Sequence, residues 1–145
     1  MSHFEQHLED MYEDFFLTDS LYGEFAKRFG ESYTSMSILY LLGEHPEGIS
    51  QKQLARELFQ PKQTVGSIVS GFEKRGLADH KPDTEDKRSK LHFLTPAGTR
   101  HCDEVMGTLR RIELRCVEQV GAEDMARMHD ISTRYLTLFK QELDS

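Results

Sequence analysis

The residues best suited to chemistry lie in two short runs, Pro61-Lys62-Gln63-Thr64 and Asp86-Lys87-Arg88. In the major groove of double-stranded DNA, a glutamine amide pairs with adenine and a lysine ammonium with guanine. Ser and Thr hydroxyls, and the free N–H groups at a helix start, bind phosphate. Gly66, Ser67 and Ser70 continue the first run opposite Val65, Ile68, Val69 and Phe72, and Lys74 follows them. In the second run Arg88 suits a minor groove, whose negative potential deepens where it narrows. Lys87 and Lys90 flank it. Asp86, two residues before Arg88, is placed to pair with the arginine or to fix its direction.

Other constellations point to less. Cys102 and Cys116 are fourteen residues apart on one expected helix, roughly 21 Å along its axis and too far for a bridge within it. They read as buried or interfacial thiols. His3 and His7 have i, i+4 spacing, and His80 and His92 are placed to face each other across a hairpin. Neither pair has the Cys/His spacing typical of zinc, so no metal or other cofactor is expected. His101, Cys102 and Asp103 are sequence neighbours, and neighbours on a helix do not share a face as a catalytic triad requires. With no Gly-rich phosphate loop or activated nucleophile, an enzyme is not expected.

The 145 residues suit one domain with helical extensions. No apolar run approaches the roughly 20 residues needed to cross a bilayer. The start, Met1-Ser2-His3-Phe4-Glu5, has no basic segment followed by an apolar one. A cytoplasmic setting without membrane contact is the expectation. The net charge of -7 runs against a DNA partner, because phosphates attract basic surfaces. Its distribution matters more than the sum. Residues 61–90 carry seven bases and five acids, a net of +2, which leaves -9 for the rest. Residues 1–20 hold six acids and no Lys or Arg.

Positioning these runs requires a specific order of elements. Phe4, Leu8, Met11, Phe15, Phe16, Leu21 and Phe25 predict a first helix over roughly 4–28. A second helix covers 34–44, capped by Ser32 or Thr34, and His45-Pro46-Glu47-Gly48 is a turn. Ser50 caps a third helix, with Gln53 where a capping box wants it. The chain turns at Phe59-Gln60, and Pro61 takes the first position of a fourth helix ending near Gly76. Residues 77–81 and 90–94 are short strands around a polar tip. Thr95 caps a helix over 96–120, Gly121 breaks it, and a last helix covers 122–143. The fold class is mainly α with a small β-hairpin wing.

Two short helices, a tight turn and a polar-tipped hairpin make a winged helix-turn-helix, whose second helix enters the major groove. From Ser50 to Gly98 the chain resembles the MarR family of bacterial regulators. The resemblance is carried by Gln53-Leu54-Ala55-Arg56-Glu57-Leu58, Lys62-Gln63-Thr64-Val65 and Phe72-Glu73-Lys74-Arg75-Gly76-Leu77. Its most specific part is Asp86-Lys87-Arg88 followed by Leu94-Thr95-Pro96-Ala97-Gly98, similar to the family's wing signature. Three positions depart from the pattern: Gly66 stands where a polar residue is usual, Gln60 where Ser is common, and the turn 58–60 lacks glycine.

The resemblance implies a transcription regulator, usually a repressor, that binds a pseudo-palindromic site as a homodimer. Helical regions 1–30 and 100–145 would dimerise, and 31–99 would form the DNA-binding domain. Arg88 would be the minor-groove arginine with Asp86 its partner, and Lys62, Gln63, Thr64 and Ser67 the base readers. Family members also hold small aromatic or lipophilic effectors where dimer helices meet the winged domain, which makes Phe15, Phe16, Tyr22, Phe25, Tyr33 and Tyr40 candidates to line such a pocket. The apolar stripes of the terminal helices, long for so small a protein, independently favour an interface. The rival reading, from the acidic charge, is a winged module that binds protein instead of DNA.

Overall fold

The computed structural model describes residues 2–145 and divides into two compact units, the first reaching to Gly107 and the second running Thr108–Ser145. The elements are α1 (His3–Lys27), α2 (Tyr33–Glu44), β1 (Ile49–Ser50), α3 (Gln51–Leu58), α4 (Lys62–Lys74), β2 (Ala78–Pro82), β3 (Lys90–Leu94), α5 (Pro96–Val120) and α6 (Ala122–Asp144).

The caps show why the helices begin where they do. Ser32 accepts from the Ser35 N–H at 3.0 Å, and Ser35 Oγ accepts the Ser32 N–H in return. Ser50 Oγ accepts from the Gln53 N–H at 3.1 Å. The expected capping box at Ser50 is only half made, because the Gln53 amide donates along its own helix to Glu57 instead. Thr95 Oγ1 accepts from Gly98 N–H at 3.1 Å and opens α5. Each such bond satisfies a backbone donor that the helix leaves without a partner.

The core of the first unit is built from α1, α2, α3, α4, the start of α5 and the sheet. Ile38, Leu39 and Leu42 of α2, Leu54 of α3 and Val65 of α4 are fully buried, with Val69 and Phe72 close behind. Each contributes about 1.5–3 kcal/mol of apolar burial. Val65, Val69 and Phe72 recur at spacings of four and three, so one stripe of α4 faces inward while the other side stays wet.

The hairpin is part of a three-stranded antiparallel sheet in the order β1-β3-β2. Ile49 pairs with His92 and Ser50 with Leu91. A two-residue strand has no periodicity for a sequence to display, so the sequence foretells a hairpin alone. The φ of +107° at Gly48 permits this approach, and a Cβ there would meet Leu91 Cβ at 2.8 Å.

Gly98 explains the close of the wing signature. The Leu77 carbonyl accepts from the Thr95 N–H at 3.1 Å and packs on the first turn of α5. A Cβ on Gly98 would lie 1.8 Å from that carbonyl oxygen, so no larger residue fits. Thr95 Oγ1 also donates to the Gly76 carbonyl at 2.7 Å.

The second unit holds the end of α5 and all of α6. None of the twenty-three residues of α6 is buried. No described helix is long and apolar enough to cross a membrane.

Candidate nucleic-acid interface

α3 ends and α4 begins around a turn that does without glycine. Phe59 holds the left-handed conformation at φ 53°, and the Gln60 N–H bonds back to the Ala55 carbonyl at 3.0 Å. The φ is unusual for a bulky residue, and Phe59 is 92 % exposed. Pro61 stands one position earlier than expected. Its carbonyl accepts the first helical bond, from the Val65 N–H at 3.2 Å, while its own ψ of 139° is extended. It is the N-cap, and α4 starts at Lys62. Gln60 therefore lies outside the helix.

Of the residues expected to carry function on α4, Lys62, Gln63, Thr64, Ser67, Ser70 and Lys74 are all exposed. At 100° per residue Gln63, Thr64, Ser67, Ser70 and Lys74 lie away from the buried Val65, Val69 and Phe72, whereas Lys62 shares their side and is exposed as the first residue of the helix. Lys74 is twelve residues beyond Lys62, roughly 18 Å along the axis. Gly66 faces α3: a Cβ there would meet Gln51 Nε2 at 2.4 Å. Gln51 uses that space to donate to the Lys62 carbonyl at 2.8 Å. The glycine thus serves the packing of α3 on α4.

The wing tip is shaped by two aspartates. Asp83 Oδ1 accepts from the Glu85 N–H and Asp86 Oδ1 from the Arg88 N–H, both at 3.0 Å. Asp86 therefore fixes the backbone ahead of Arg88. Among the described residues its carboxylate makes no ion pair with the guanidinium. Arg88 and Lys87 are exposed.

A cleft of about 560 Å³ brings the two runs together. Lys62, Gly66 and Ser70 line it from α4, and Asp86, Arg88 and Lys90 from the wing. Lys52 and Gln51 of α3 line it too, and their sequence positions held no signal for this. Four cations (Lys52, Lys62, Arg88, Lys90) face two carboxylates (Glu73, Asp86) there. Pro61, Gln63, Thr64, Ser67, Lys74 and Lys87 lie outside the cleft.

Two polar clusters lie beside this face. The sequence foretold the facing of His80 and His92 in the second, but not the carboxylate that joins them nor any of the first. The Glu31 side chain, 2 % exposed, takes two bonds from Arg75 at 3.0 and 3.3 Å. His101 Nε2 lies 2.8 Å from it and Ser35 Oγ donates at 3.0 Å. Burial works to raise the Glu31 pKa, but the bonds from Arg75, His101 and Ser35 outweigh it and the pKa falls below its ordinary 4.5. Arg75, counted in the basic window, is thus tied to Glu31 and stacked 5.7 Å from the Phe72 ring. The second cluster joins Glu73, His80 and His92.

Cys102 is buried and Cys116 exposed. Burial, with Asp103 and Glu44 nearby, pushes the Cys102 thiol up to about 11. It is protonated at neutral pH and a poor nucleophile.

The paired short helices, the three-stranded sheet and the charged tip define a winged helix-turn-helix. Within it, residues 29–89 match the model of the MarR family. Similar solved structures extend the likeness of fold over nearly the whole chain. A MarR family transcription regulator superposes with a TM-score of 0.85 at 18 % identity, covering 98 % of this chain and 93 % of that one. The S. aureus MepR–DNA complex gives 0.75 at 18 %, covering 96 % and 99 %. CouR from Rhodococcus jostii RHA1, bound to p-coumaroyl-CoA, gives 0.72 at 23 %, covering 83 % and 85 %. No curated protein sequence matches the chain significantly.

Proposed function

We propose that this chain is a cytoplasmic transcription regulator that binds a pseudo-palindromic DNA site as a homodimer, acting as a repressor. The observation that carries the reading is the cleft whose walls are α4 and the wing, with Lys62, Arg88 and Lys90 on them. Duplex DNA has a groove for α4 and phosphates for the cations beside it. Lys62, Gln63, Thr64 and Ser67 meet base edges. Pro61, Ser70 and Lys74 face the sugar-phosphate backbone beside them, and Gly66 acts by letting α3 pack closely on α4. Arg88 enters the minor groove from a turn held by Asp86, and Lys87 and Lys90 contact phosphate. The MepR structure, a DNA complex, supports this use of the fold.

Residues 31–99 would then read DNA, while 1–30 and 100–145 join two copies. Support comes from Phe4, Phe16 and Leu143, which are 70–78 % exposed. Apolar surface of that extent in a single chain marks an interface. A two-fold axis also supplies the half-site spacing that paired recognition helices need.

A small aromatic or lipophilic effector is the remaining element. It is supported by the acyl-CoA bound to CouR and by the stacked rings of Tyr22 and Tyr33, 5.5 Å apart. Such a ligand would favour a dimer whose recognition helices no longer match the site.

The deciding experiment is fluorescence anisotropy with DNA from upstream of the protein's own gene, over a salt series, for wild type and Arg88→Ala. Tight binding that weakens steeply with salt is expected, with Arg88→Ala losing about 1–3 kcal/mol, or roughly 5- to 150-fold in Kd. Binding no better than to random DNA, by an intact dimer, would overturn the reading in favour of a protein-binding module.

A further inference from the structure

Glu73, His80 and His92 converge from three elements at the edge of the cleft, where Glu73 and His92 also line it but carry no part in the DNA contacts proposed above. Glu73 is on the last turn of α4, His80 on β2 and His92 on β3. The two histidines are directly opposed in the β2–β3 ladder, which sets cross-strand Cβ atoms about 5 Å apart. Their ring centroids are 6.0 Å apart. His80 Nδ1 lies 3.0 Å and His92 Nδ1 3.1 Å from one oxygen, Glu73 Oε1. One ligand atom from each residue falls within 4.8 Å of the other two.

Two imidazole nitrogens and one carboxylate oxygen are a donor set that zinc takes, with bonds of roughly 2.0–2.2 Å. Tetrahedral donors at such bond lengths are about 3.3–3.5 Å apart, so the two nitrogen-to-oxygen distances of 3.0 and 3.1 Å already lie near the required spacing. His92 is buried and held by the ladder, while His80 is partly open to solvent. Burial, with His80 and Lys90 nearby, lowers the His92 pKa against the pull of Glu73.

We infer that Glu73, His80 and His92 form a binding site for a divalent transition-metal ion of the zinc class, with water in the fourth position. The ion replaces the two N–H···O bonds to Glu73 and ties the end of α4 to both strands of the wing. That bond fixes the spacing between the two parts of the molecule that line the cleft. The inference stands apart from the DNA reading, and its test needs no DNA.

The test titrates Zn²⁺, and Co²⁺ as its spectroscopic substitute, into the full chain carrying His3→Gln and His7→Gln. Those two rings, with Nε2 atoms 3.4 Å apart, are a competing histidine pair and must be removed first. The expected result is one ion per chain by calorimetry and Co²⁺ absorption typical of a low-coordinate nitrogen and oxygen site. The His80 and His92 ring signals shift by NMR, and those of His45 and His129 do not. His80→Gln and Glu73→Gln each weaken binding by at least about tenfold, a loss that even outer-shell partners of a metal site produce. His80 is exposed enough that His80→Gln keeps the fold, which circular dichroism checks. Absence of metal binding by the folded protein overturns the inference. So does binding that His80→Gln leaves unchanged, or ring shifts confined to other histidines, because the cluster is then only a carboxylate held by two N–H donors.

Discussion

α2 buries five of its twelve residues, and α6 buries none of its twenty-three. Both are apolar on one side in sequence. The side of α2 meets α1, α3, α4 and β3 of the same chain. On α6, Ile131, Leu138 and Phe139 remain at least half exposed. The same chemical pattern therefore has two meanings. In α2 it is a core, complete in one chain. In α6 it is a surface that water should not be left to cover, and a second copy is the partner that satisfies the proposal above.

Substitutions can break this comparison, and the largest effect should come from the core. Ile38→Ala is expected to lose about 2–5 kcal/mol in chemical denaturation, from lost burial and a residual cavity. Leu138→Ala makes no cavity within the chain. Its effect should appear as a dimer dissociation constant raised by about tenfold, the equivalent of 1.4 kcal/mol, measured by sedimentation across a dilution series. A loss of stability in Leu138→Ala that is independent of protein concentration would erase the distinction.

A smaller effect sharpens the packed side of the comparison. Glu31 has a pKa lowered in the folded chain, so it contributes stability that is present above its unfolded value. That contribution is lost as pH falls through the folded value, below the ordinary 4.5. Glu31→Gln should cost about 1–3 kcal/mol at pH 7 by leaving Arg75 and His101 without their carboxylate. It should also flatten the acid limb of a stability–pH curve. An unchanged acid limb would show that other carboxylates govern acid unfolding.

The smallest effect has the opposite sign. Phe59 occupies a left-handed position with its side chain almost fully in solvent. Phe59→Gly should raise stability by about 0.5–1 kcal/mol, since the strain there costs roughly 1–2 kcal/mol and glycine's greater freedom in the unfolded chain returns part of it. Denaturant midpoints read the change.

Much of the fold was legible in the residues. α5 spans the expected 96–120, Thr95 caps it, Ser32 is the one of the two expected residues that caps α2, and Ser50 caps α3 with half of the expected box. All are bonds between residues three or four apart, so helix geometry alone makes them. The site was legible in part. The polar side of α4 and the wing residues were visible, but Lys52 and Gln51 were not, and Gly66 proved to serve packing. Asp86 acts on the Arg88 backbone, one of the two roles its position allowed.

The sequence by itself determined the order of helices, their caps, the turn at 58–60 and the charged wing tip, because short-range spacing encodes short-range bonds. Only the tertiary structure decided that Ile49 and Ser50 add a third strand and that Glu31 gathers Arg75 and His101 from 44 and 70 residues away. It likewise decided that Glu73 completes a cluster with His80 and His92. These contacts depend on strand register and on how the helices of the first unit pack, and no local spacing records either.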